Sequence, residues 1–164
     1  MPFLKCRAAV CAMALVIVAS FVMPSAATAA DGELLTTRTV KRAFAEVRED
    51  LNNSIINQGL KVDLNGKIGD MLKRTAADIG AKGELYSEAE YFTFCSAQLS
   101  RAMMEADPLN MGLCPYVVFV YKRTGSEDVT VGYKAMPVRG NDGSKKALEK
   151  INALLDTILK ETTQ

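Results

Sequence analysis

The chain is 164 residues long, sets 20 Lys and Arg against 19 Asp and Glu, and contains no histidine. Without imidazole there is no Ser–His–Asp or Cys–His nucleophile system, no His-ligated haem and almost none of the catalytic zinc sites. The near-zero net charge leaves no electrostatic footprint for nucleic acid or anionic lipid, and no GxGxxG, P-loop or CxxC motif is present.

At the N-terminus, Lys5 and Arg7 precede an uncharged apolar run from Ala8 to Met23, and Ala27-Thr28-Ala29 supplies an A-x-A cleavage pattern. This is the signature of a secretory signal peptide over residues 1–29, cut near Ala29, with a single α+β domain over 30–164 and a periplasmic or secreted location. The apolar run is shorter than the ~20 residues a spanning helix needs, so no membrane association is expected after cleavage. Cleavage removes Cys6 and Cys11, leaving two of the four cysteines, and removes Lys5 and Arg7, leaving 18 basic residues against 19 acidic.

Leu34–Val40 favours a strand. Phe44, Val47, Leu51 and Ile55 then recur at helical spacing within Lys41–Gln58, with Gly59 at the C-terminal turn. Glu46, Arg48, Glu49 and Asp50 read as the solvated side of that helix. Leu60–Leu64 alternates as a strand closed by Asn65-Gly66, and Ile68, Met71, Leu72, Ala76 and Ile79 mark a helix ending at Gly80. Ala81–Ala89 reads as a loop. Next come a strand over Glu90–Cys95, a helix over Ala97–Ala106 capped by Ser96 and ended by Asp107-Pro108, a loop over Leu109–Leu113, and a strand over Tyr116–Tyr121. Asp128–Ala135 alternates as a half-buried strand. Ser144 is expected to cap a last helix striped by Ala147, Leu148, Ile151, Leu154, Leu155, Ile158 and Leu159. The order β-α-β-α-β-α-β-β-α specifies an α+β fold on a largely antiparallel sheet.

The candidate site lies in the central stretch. Cys95 ends one strand and Cys114 begins the next, so antiparallel neighbours would bring the two sulfurs together. Three readings stand side by side: a structural disulfide suited to an exported protein, two unreactive thiols, and a redox-active or ligand-binding pair. In the third, Cys95 is the nucleophile, acidified by the helix start behind it, and Cys114 the resolving thiol. Ser96, Arg101, Met103 and Met104 are candidate ligand-site neighbours. Arg101 can hold an anion or simply face solvent, and Met103, Met104 and Met111 raise a soft-metal Cu(I) alternative against ordinary core packing. The carboxylate pairs Glu88/Glu90 and Glu127/Asp128 read as surface charge, with no catalytic residue, resident metal or cofactor expected.

The pieces FAEVREDLNNSIINQGLKV, IGDMLKR, FCSAQLSRAMMEADPLNMGLCPYVVFVY and VTVGYKAMP, from Phe44 to Pro137, resemble the domain of unknown function family 302. The resemblance implies a TBP-like sheet with helices packed on one face and a tendency to pair as homodimers. It implies no activity. With no catalytic set recognised, the favoured expectation is a non-enzymatic exported domain that binds a small ligand or a protein partner. Thiol-based redox or sulfur handling through Cys95 and Cys114 is the alternative, and Cu(I) binding a second one.

Overall fold

The computed structural model describes residues 34–164, so the expected signal peptide lies outside the described residues. Its elements are β1 (Leu35–Val40), α1 (Phe44–Asn57), β2 (Val62–Gly66), α2 (Ile68–Thr75), β3 (Tyr86–Phe94), α3 (Ala97–Ala106), a 3-10 helix (Pro108–Leu113), β4 (Tyr116–Arg123), β5 (Val129–Lys134) and α4 (Asp142–Thr162). The five strands form one sheet in the order β1-β5-β4-β3-β2, antiparallel at every pairing. The α+β class and the element order are those expected from the sequence.

Strand alternation sends one set of side chains to each face. Phe92 and Phe94 of β3, Tyr116, Val118 and Val120 of β4, and Val129, Val131 and Tyr133 of β5 face the main core. Val47, Leu51 and Ile55 of α1 and Leu148, Ile151, Leu155 and Ile158 of α4 cover them, all fully buried. Each such aliphatic side chain contributes about 1.5–3 kcal/mol on removal from water. α3 packs against α4 and buries Met103 completely. Gly59, at φ +73°, turns the chain out of α1 as expected of a left-handed residue there.

α2 stands apart from the other helices. Gly69 brings its backbone down onto β3, where a Cβ would meet the Ala89 nitrogen at 2.9 Å. Ala89 belongs to the sheet face opposite the main core, so α2 flanks that second face and leaves much of it open. The helix stops at Thr75 rather than continuing to Ile79, which is 71% exposed. β3 is the element α2 packs against, so the apolar stripe beyond Ala76 meets no surface to bury against.

Other boundaries also move for local reasons. β3 begins at Tyr86 instead of Glu90, because a bulge between Tyr86 and Glu88 breaks the alternation that marks a strand. Pro108–Leu113 is helical rather than a loop, with Asp107 capping it through the Leu109 N–H at 2.9 Å. Asn141, not Ser144, caps α4 by accepting the Ser144 N–H at 2.8 Å. Ser144 is instead buried, and its Oγ accepts from Asn110 Nδ2 at 2.7 Å. Asn110 also donates to the Met103 carbonyl at 2.9 Å and Asn141 to the Ala106 carbonyl at 2.8 Å, tying the end of α3 to the start of α4.

One cross-element polar network corrects the reading of Glu90 as surface charge and of Arg48 as solvated. Glu90 is only 13% exposed and accepts from Arg48 of α1 at 3.2 Å, Asn65 of β2 at 2.8 Å and Lys67 at 2.8 Å. The Arg48 guanidinium also lies 5.5 Å over the Phe92 ring. Burial pushes the Glu90 carboxyl up, but the bonds from Lys67, Asn65 and Arg48 outweigh it and hold the group below its ordinary 4.5. A depressed carboxylate stabilises the fold above the ordinary value and loses that contribution as pH falls through the folded value. Glu90→Gln should therefore cost about 1–3 kcal/mol at pH 7. Its denaturant-midpoint profile below pH 4.5 should be flatter than that of the parent. Parallel acid profiles for the two proteins would refute this role.

Candidate functional site

Two features bear on function, one at the end of the β3–β4 pairing and one on its open face. The first is the thiol pair. The β3–β4 register ends at Phe94↔Tyr116, which places Cys95 beside Cys114 with their sulfurs 2.9 Å apart. Cys114 Sγ also lies 3.2 Å from Ser100 Oγ, and that hydroxyl is 2.8 Å from the buried Tyr116 hydroxyl. Each cysteine is partly buried.

The chemistry of Cys95 differs from the expectation of an acidified thiol. Burial pushes it up to about 11, the neighbouring Cys114 adds to the rise, and the Tyr116 backbone and Ser100 only partly oppose it. Ser96 takes the Leu99 N–H as the N-cap of α3, so Cys95 stands before the cap, where desolvation outweighs the helix dipole. Burial likewise pushes Tyr116 up to about 12. It remains a neutral hydroxyl.

The other sequence candidates do not gather around the sulfurs as one group. Arg101 is exposed and bonds Glu105 one turn along, at 2.7 Å. Met103 is completely buried, Met104 packs partly against the core, and Met111 is 69% exposed. The three thioethers thus occupy three different environments. Among the described residues no group of three or more His, Cys, Asp or Glu is placed to hold a metal ion.

The second feature is the open face of the sheet, whose individual lining residues sequence reading did not single out. Val117, Phe119 and Tyr121 of β4 alternate away from the main core, next to Tyr91 of β3. Phe119 and Tyr121 stack at 6.3 Å between centroids, and Tyr86 tilts against Tyr121 at 5.2 Å. Two glycines let rings lie down on the sheet. Phe119 pairs with Gly132, whose added Cβ would sit 2.5 Å from the Phe119 ring, and Tyr91 covers Gly66 in the same way.

With Leu35 and Thr37 of β1 and Ile68 and Leu72 of α2, these residues line a cavity of about 610 Å³. A second cavity of about 440 Å³ adjoins it, sharing Leu72, Leu85 and Tyr86. The sequence signal was present in β4, where both faces of YVVFVY are apolar. A strand with one wet face would have alternated. Gly132→Ala should destabilise the fold by about 1–3 kcal/mol through overpacking against Phe119 and the Thr36 carbonyl. An unchanged melting temperature would show that Phe119 does not lie on Gly132.

Among curated proteins none matches the chain. A crystal structure of an uncharacterised conserved DUF302 protein from Bacillus stearothermophilus superposes with a TM-score of 0.66 at 17% identity, covering 79% of this chain and 98% of that one. That likeness establishes the shared antiparallel α+β architecture. The family model described as Domain of unknown function DUF302 matches residues 36–162, from β1 to the end of α4, and the chain therefore belongs to that family.

Proposed function

We propose that this chain is an exported, non-enzymatic domain that binds one flat, apolar small molecule on the open face of its sheet. The observation that carries the reading is the aromatic floor of Tyr91, Phe119 and Tyr121 beneath the cavity of about 610 Å³. That volume falls within the roughly 300–1,000 Å³ range of small-ligand sites, which are lined mainly by apolar and aromatic groups with few polar ones. Rings held flat on glycine offer their faces for stacking, and their rotamers are fixed before the ligand arrives. Export rests on the charged start, apolar run and A-x-A pattern of residues 1–29. The non-enzymatic part rests on the histidine-free composition, which leaves no imidazole to act as general base.

Anilinonaphthalene sulfonate, a dye with an apolar aromatic body and one sulfonate, tests the site on the folded protein. One saturable binding event is expected. Phe119→Ala and Tyr91→Ala should each weaken it about tenfold, consistent with roughly 1.4 kcal/mol per lost stacking ring. Leu109→Ala, at an exposed position on the 3-10 helix and outside both cavities, should leave it unchanged. Equal dye affinity in all three variants would sink the reading. So would a light-scattering dimer that excludes the dye, since a second copy would then be what covers the face.

A further inference from the structure

We propose that Cys95 and Cys114 form a reversible dithiol–disulfide site, with Cys114 as the attacking sulfur and Cys95 as the resolving one. This goes beyond the ligand-binding reading and uses none of the open-face residues. It also inverts the roles expected from the sequence.

The hydrogen bonds assign the roles. The Cys95 S–H donates to Cys114 Sγ at 2.9 Å, and the Ser100 hydroxyl lies 3.2 Å from the same sulfur. A thiolate on Cys114 therefore has two donors waiting for it. Ser100 is backed in turn by the Tyr116 hydroxyl at 2.8 Å, which burial keeps protonated. Cys95 stays a thiol, because burial and its neighbour oppose the charged form there. The antiparallel β3–β4 pairing holds both sulfurs in place. Forming the bond needs only a small side-chain approach, without rearrangement of the strands.

The substrate class is an external disulfide, R–S–S–R. The Cys114 thiolate attacks one of its sulfurs, a Cys114–S–S–R bond forms, and R–S⁻ leaves and takes a proton from solvent. Cys95 then loses its proton to solvent and attacks Cys114 Sγ. The Cys95–Cys114 bond forms and the second R–S⁻ is expelled and protonated. Two electrons pass from the protein dithiol to the external disulfide, which becomes two thiols. A dithiol reductant reverses the sequence.

Oxidised glutathione serves as the probe, with intact-mass spectrometry as the readout. The reduced parent should convert to an internal disulfide without accumulating an adduct. Cys95→Ser, which keeps a hydroxyl donor beside Cys114, should trap a stable glutathione adduct. Cys114→Ser should form its adduct about tenfold or more slowly, since burial still opposes a thiolate on Cys95 in that variant. Ser100→Ala should slow the first step severalfold in the Cys95→Ser background. If either serine variant fails to fold, limiting iodoacetamide on the reduced parent gives the order directly, with Cys114 modified first. Equal rates for the two variants, faster attack by Cys95, or a parent that collects adducts without closing its own bond would overturn the proposal.

Discussion

The register between β3 and β4 is the constraint on which everything else in this molecule depends. Paired from Tyr86↔Arg123 to Phe94↔Tyr116, it sends Tyr116, Val118 and Val120 into the main core and Val117, Phe119 and Tyr121 to the opposite face. A slip of one residue would exchange the two sets. The same register puts Cys95 and Cys114 at adjoining strand ends. One hairpin-like pairing thus fixes the core, the aromatic floor and the thiol contact together, although a helix and a 3-10 turn separate its strands in the chain.

Around that pairing the two faces of the sheet are finished differently. The core face carries Phe92, Phe94, Tyr116 and Tyr133 among its valines and is covered by α1 and α4. The other face carries aromatic rings over glycines, with α2 standing at one side on the Gly69–Ala89 contact. A β-branched residue at position 132 or 66 would lift the rings off the sheet. The missing side chains leave flat, half-exposed aromatic surface. Glu90 joins α1, β2 and Lys67 beside this sheet, so the strand carrying Tyr91 is pinned by charge as well as by its ladder.

Much of this was legible in the residues. The five strands and four helices appear in the periodicities of the chain, and the nearness of the cysteines follows from Cys95 ending one strand and Cys114 opening the next. What was not legible depended on tertiary partners. The stripe from Ile68 to Ile79 reads as a long helix, yet α2 stops at Thr75 where the sheet gives it nothing further to cover. Glu90 looks like any strand-end carboxylate until Arg48, 42 residues away on another element, is folded over it. The bulge at Tyr86–Glu88 hides the start of β3 from an alternation test. The upward push of burial on the Cys95 thiol was not legible, because helix position is visible in sequence and desolvation is not.

The central claim is that the open face holds a ligand rather than merely tolerating exposure. Native mass spectrometry of untreated protein, purified without denaturation or organic solvent, tests it most directly. A monomer carrying one organic molecule of roughly a few hundred daltons, a size suited to such a cavity, is expected. The molecule should be released when the protein is unfolded in the instrument. A bare monomer mass, or a dimer with nothing bound, would mean that the open face holds no ligand.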